Sequence, residues 1–251
     1  MGLILCGVAS AQRQRWVLAG IFMGLALTSQ QFALLVLVAL LVLATNTGRV
    51  KMAAATVVTW GAVVLPLVFV TSGRALRVAL VGSGLAGSQY QSIAFELHLT
   101  GSTAIEVWRL VPIVVTAGLS YWTLRRLGRG ALEPVPLMSL VATSLSMRLV
   151  FDEGLYGYYF MAVAVSLIIL DVLRRRFRLE LLGWLALIIL VFDPFPWGYD
   201  RLTYSIPMWI WQLLLVTPAV WLSFSPLLAK TPAVSASKDQ ESLPTMRARS
   251  T

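Results

Sequence analysis

The chain has 251 residues, 58% hydrophobic and only 12% charged, against about half apolar and about a quarter charged in a soluble domain. So few charges cannot solvate a water-facing surface of this size, and lipid is the expected cover for much of it. The formal net charge of +9 does not indicate nucleic acid, because the basic residues cluster at the ends of apolar runs. A single cysteine, Cys6, and a single histidine, His98, exclude an internal disulfide and a cysteine- or histidine-rich metal centre; no cofactor and no metal is expected.

In chain order, residues 1–11 are apolar and Arg13 and Arg15 follow them. No basic residue precedes the run, as a cleaved signal would require. Leu3-Ile4-Leu5-Cys6 lacks the small residues of a lipoprotein box, and Cys6 stands where a myristoylation signal has Ser or Thr. The run therefore reads as the end of a membrane helix. Segments 16–28 and 32–45 are each short for a crossing that takes about 20 residues. Thr28-Ser29-Gln30-Gln31 separates them, giving either a short helical hairpin with a polar tip or one long helix broken in the middle; the hairpin is favoured because the combined segment exceeds one span. Spans are expected at 53–71, 104–124, 135–151, 156–173, 179–193 and 206–224. Arg174-Arg175-Arg176-Phe177-Arg178 divides two of these and cannot lie in hydrocarbon. Residues 229–251 are polar and low in apolar content, the composition of a disordered tail. The expected fold class is all-α: a polytopic transmembrane helix bundle over 1–228, followed by a cytoplasmic tail over 229–251.

Orientation follows from the basic loops. With Arg49 and Lys51 in the cytoplasm, Arg13, Arg15, Arg125, Arg126, Arg129, Arg174, Arg175, Arg176 and Arg178 fall on the same side, as does the tail. Only Arg74, Arg77 and Arg201 fall outside in loops. This places the chain in the plasma membrane as a multi-pass protein with a cytoplasmic C-terminus.

The outer side then collects the residues able to build a site. Arg109 and Arg148 lie inside apolar segments, where an arginine costs several kcal/mol unless it snorkels or is paired. Each either does so, with Glu106 or Asp152 as the nearby acid, or binds an anionic headgroup, for which a guanidinium is well shaped. Glu96 and His98 share a face if the loop 72–103 is extended there. They are candidates for sugar or acceptor contacts, as are Asp152, Glu153, Tyr158 and Tyr159. The tyrosines read equally as an interfacial aromatic belt. Asp152 and Glu153 are adjacent, so at most one faces a shared pocket. Ser29, Gln30 and Gln31 at the hairpin tip require protein or water as partners, which implies a wet cavity on the outer side.

Two stretches carry a family resemblance. Gly20 to Leu35, GIFMGLALTSQQFALL, resembles the Gly-Leu-Ala segment with a polar break in bacterial GT-C membrane glycosyltransferases. These are the polyprenol-phosphate-sugar-dependent enzymes that include mycobacterial mannosyltransferases. Arg148 to Phe160, RLVFDEGLYGYYF, is similar to a segment of actinobacterial membrane proteins related to that group. The likeness covers about residues 16–193 and rests on loose hydrophobic motifs. It implies a many-helix bundle that moves a hexose, such as mannose, from a polyprenyl phosphate donor to a lipid or glycan acceptor on the outer side. In that family a catalytic Asp or Glu sits in the first outer loop. Here only Met1 to Gln12 precedes the basic break, so the chain resembles a C-terminal portion, and no catalytic residue carries over. Arg109 and Arg148 would meet the donor phosphate. The expected partners are membrane lipids and the polyprenyl-phosphate sugar. A transporter or lipid flippase, or a non-catalytic scaffold, are the alternatives.

Overall fold

The computed structural model of the chain describes residues 1–70, 102–151, 157–192 and 208–229; at 102–106, 157, 158, 192, 208, 209 and 211 it describes the backbone alone. These residues form nine α-helices and one short 3₁₀ helix, with no strand among them. In chain order the helices are α1 (Gly2–Gln12), α2 (Trp16–Ser29), α3 (Ala33–Leu43), α4 (Asn46–Val70) and α5 (Ser102–Leu127). After the 3₁₀ turn Gly128–Leu132 come α6 (Pro134–Val150), α7 (Gly157–Arg174), α8 (Leu179–Phe192) and α9 (Met208–Leu228). The tail predicted at 229–251 lies, beyond Ala229, outside the described residues.

The boundaries follow local chemistry. The helix α4 begins seven residues before the predicted 53, because Thr45 caps it: its hydroxyl accepts the N–H of Gly48 at 3.2 Å, satisfying a donor that a helix start leaves open. Gly128, with φ +55°, follows the last residue of α5 in the left-handed conformation that ends many helices. Arg175 takes the same conformation after α7, with φ 51°; the N–H of Arg176 donates back to the Asp171 carbonyl and that of Arg175 to Val172, the paired bonds of a Schellman ending. Pro134 opens α6 at a position where its missing N–H costs nothing.

Helices α2 and α4 run parallel and in register. Trp16 lies over Gly48, Gly20 against Met52 and Gly24 against Thr56, a constant offset of 32 residues. The glycines of Gly20-x-x-x-Gly24 let the backbones approach closely, as small residues do between membrane helices. A Cβ at Gly24 would lie 2.8 Å from the Thr56 carbonyl oxygen, and the Thr56 hydroxyl bonds the Gly20 carbonyl at 3.1 Å. Since α4 starts level with the start of α2, α3 must return antiparallel between them. The predicted hairpin is therefore present, with Gln30 and Gln31 exposed at its tip.

The centre of the bundle is α6, which packs on α3, α5, α7 and α9. Twelve of its 17 residues are buried, among them Ser139, Thr143, Ser144 and Ser146. The last three hydroxyls bond carbonyls four residues back, at 2.7–2.9 Å, and Ser139 bonds the Ser223 carbonyl of α9. By contrast, α4 and the stretch from Val107 to Leu132 are long and apolar enough to cross a membrane, and both are mostly exposed. Val57, Val58, Phe69, Val70, Leu110 and Val114 are each more than half exposed.

Candidate functional site

The bundle has two chemically different ends. One is basic. Arg49 donates to the Leu41 carbonyl at 2.8 Å and lies near those of Val42 and Ala44, capping α3. Arg126 donates to the Leu228 carbonyl at 2.8 Å, capping α9. Cations at helix C-termini meet both open carbonyls and the negative end of the dipole. Arg178 reaches the Leu222 carbonyl inside α9 at 2.8 Å, one that Pro226, without an N–H, leaves open. Arg13, Arg15, Lys51, Arg125, Arg129, Arg175 and Arg176 are exposed.

This end also holds an ion pair that the sequence reading missed. Asp171, only 3% exposed, accepts Nε of Arg178 at 2.6 Å and its backbone N–H at 3.1 Å. Nη2 of Arg178 lies 2.6 Å from Oδ1 but points off the hydrogen-bond direction, so it adds charge attraction only. Asp171 thus folds the 175–178 loop back onto α7 while Arg178 ties it to α9. The available signal was a lone acid inside an apolar run, with arginines one or two turns further on.

The opposite end is aromatic. Arg148, half-buried near the end of α6, places its guanidinium 5.3 Å from the ring centre of Tyr159 in the first turn of α7. Tyr159 meets Phe32, at the start of α3, edge-on at 6.0 Å. Phe151 meets Trp108 of α5 at 5.2 Å. Gln212 of α9, buried, donates to the Leu149 carbonyl at 2.9 Å, closing the end of α6. Arg109 is half-buried, next in sequence to Trp108. The indole N–H of Trp108 is buried without a hydrogen-bond partner among the described residues, and such donors are costly to leave unmet.

Of the residues singled out in the sequence, then, Arg109, Arg148 and Tyr159 lie at one end, together with the hairpin tip. Glu96, His98, Asp152 and Glu153 lie outside the described residues, as does the side chain of Tyr158. The tip itself is less demanding than expected: Thr28 and Ser29 bond carbonyls of their own helix at 2.7 and 3.0 Å. Tip and aromatic cluster are set back. The offset of 32 puts Ser29 level with Gly61, and α4 continues nine residues to Val70, about 13 Å of helical rise. Helix α5 likewise starts six residues before Trp108. No cluster of three or more metal-ligating side chains occurs among the described residues.

Comparison with protein-family models, curated proteins and solved structures finds no match.

Proposed function

We propose that this chain is a multi-pass membrane protein whose aromatic end binds a polyprenyl phosphate, and that it acts as a GT-C-type hexosyltransferase on that donor. The carrying observation is that the half-buried Arg109 and Arg148 lie at the aromatic end, where the Trp108 N–H has no hydrogen-bond partner among the described residues. Two half-buried guanidiniums suit a phosphate, which accepts several charge-assisted hydrogen bonds at once. The exposed apolar faces of α4 and α5 support a lipid surround, from which the polyprenyl tail enters sideways. The basic end faces the cytoplasm, following the bias of Lys and Arg in short loops. The aromatic end then faces outwards.

In the proposed reaction an acceptor hydroxyl oxygen attacks the anomeric carbon of the hexose. The bond from that carbon to the phosphate oxygen breaks, and a carboxylate takes the hydroxyl proton. The departing polyprenyl phosphate gains negative charge, which Arg109 and Arg148 stabilise. Glu96, His98, Asp152, Glu153, Tyr158 and Tyr159 are the acceptor-side candidates.

The test compares a polyprenyl phosphate with the uncharged polyprenol of the same length, using the whole chain in nanodiscs. The wild type is expected to prefer the phosphate. Arg109→Gln and Arg148→Gln each weaken phosphate binding by about 1.5–3 kcal/mol, the range for a hydrogen bond to a charged group. Transfer of labelled hexose from the polyprenyl phosphate sugar to membrane acceptors tests the activity. Absence of any phosphate preference, or full retention of it in both variants, would remove the site; phosphate binding without hexose transfer would leave a lipid-phosphate carrier in place of the enzyme.

A further inference from the structure

An apolar groove of about 280 Å³ runs along the outside of α9, lined by Leu213, Val216, Thr217, Val220, Trp221 and Phe224, with Val150 of α6 closing one end. From Leu213 to Phe224 it extends about 16 Å along the helix axis. Two observations fix which end of the bundle serves it. Val150 lies two positions beyond Arg148 on α6, so the two side chains project to well-separated sides of the helix; Arg148 turns to Tyr159 of α7, away from the groove. At the other end, Phe224 packs on Trp122 of α5 with ring centres 5.7 Å apart. The guanidinium of Arg126 lies 5.2 Å from the Trp122 ring centre, and its Nη2 is fixed to the Leu228 carbonyl. Apolar groove, aromatic step and exposed cation therefore follow one another along α9 towards the basic end.

We propose that this groove holds one acyl chain of an anionic phospholipid, with the lipid phosphate resting on Arg126. The stacked and hydrogen-bonded guanidinium is already oriented, and Arg125 is held in the same way, over Tyr121 at 5.1 Å with its Nε donating to the tyrosine hydroxyl at 2.7 Å. Exposed Arg125 and Arg129 flank Arg126 in the same leaflet; basic clusters of this kind attract anionic headgroups. The site shares the membrane setting of the proposed function but uses neither Arg109 nor Arg148, and it opens to the leaflet opposite the donor site.

The experiment reads lipid retained by the whole purified protein in native mass spectrometry. Phosphatidylglycerol and phosphatidylcholine with identical acyl chains are offered in turn. Wild type is expected to retain phosphatidylglycerol preferentially. Arg126→Gln lowers that preference about fivefold, the effect of one interfacial cation worth about 1 kcal/mol. Thr217→Trp, at an exposed groove position away from the core, fills the groove and abolishes retention of both lipids while leaving the fold intact, as judged by unchanged helicity. Thr217→Trp keeps the wild-type preference for polyprenyl phosphate over polyprenol, which separates this site from the donor site. Equal retention of the two phospholipids by wild type, undiminished phosphatidylglycerol retention by Thr217→Trp, or loss in that variant of the wild-type polyprenyl phosphate preference each overturn the proposal.

Discussion

Helices α4 and α6 differ in a way that inverts the usual relation between hydrophobicity and burial. Of the 25 residues of α4, the buried ones are Gly48, Met52, Thr56 and Val64, while Val57, Val58, Phe69 and Val70 stand exposed. The Ser- and Thr-containing α6 buries 12 of 17. In water the hydrophobic effect would drive the α4 side chains inward. In lipid an apolar side chain gains nothing from leaving its surroundings. In the lipid surround proposed above, close approach of small and hydroxyl-bearing residues decides which helix takes the centre. The α6 hydroxyls fit that role because three of them bond carbonyls of the preceding turn, and Ser139 bonds across to α9. The lesson extends to charge. Buried Asp171 pairs with the partly buried Arg178, and the arginines of the basic end satisfy helix carbonyls.

The strongest way to break the contrast is to make the middle of α4 polar. Replacing Val57 and Val58 by lysine places two charges near the helix centre. Each is expected to raise the insertion free energy by about 2.5–3.5 kcal/mol. The double variant should lose carbonate-resistant membrane association, and a glycosylation site placed beyond residue 70 should report reduced translocation. An inserted, stable double variant would mean that α4 faces water, and the inverted sorting would go with it.

Next in size is the polar interior. Asp171→Ala leaves the Arg178 guanidinium, 15% exposed, without its counter-charge. A loss of about 3–5 kcal/mol is expected, as when one partner of a buried pair is removed. The double change Asp171→Ala with Arg178→Met should recover most of it, because the pair's net contribution over apolar groups of similar size is small. Unfolding in mixed micelles measures both. A cost below about 1 kcal/mol for Asp171→Ala would match an exposed, solvated pair.

These contrasts also bound what was legible in the sequence. Helix positions were readable because runs of apolar residues are interrupted by basic or polar breaks; the described ends of α2, α6, α7 and α8 fall within a residue or two of expectation. The hairpin and its polar tip were readable for the same reason. Apolar content could not reveal which helix is central, since almost every segment is apolar. The informative residues were the sparse polar ones. Ser139, Ser144 and Ser146 marked the core, Asp171 marked the clasp on the basic loop, and Gln212 marked the end of α6. Each is one residue in a hydrophobic stretch; the partners of Ser139, Asp171 and Gln212 lie on another helix or across a turn, while Ser144 and Ser146 bond within α6. Single-segment patterns do not carry such pairings.

The smallest expected effects sharpen the comparison within the α2–α4 pair itself. A Cβ at Gly20 would collide with the Met52 carbonyl oxygen and lie 2.8 Å from the Ala55 Cβ. Neither is the end of a flexible side chain, so the two helices must separate. Gly20→Ala should therefore cost about 1–3 kcal/mol, the usual range for an overpacked contact. At Gly61, on the same α4, the nearest heavy atom to an added Cβ is the Leu65 Cδ1 at 3.9 Å. Gly61→Ala meets no obstacle and reduces the freedom of the unfolded chain, which should stabilise the helix by about 0.4–1 kcal/mol. Thermal unfolding of the two single variants side by side gives opposite signs if α4 is held by its glycine-facing stripe and is otherwise free of protein. Should Gly61→Ala destabilise as much as Gly20→Ala, a second protein surface covers the outer face of α4, and its exposed valines are an interface between proteins instead of a boundary with lipid.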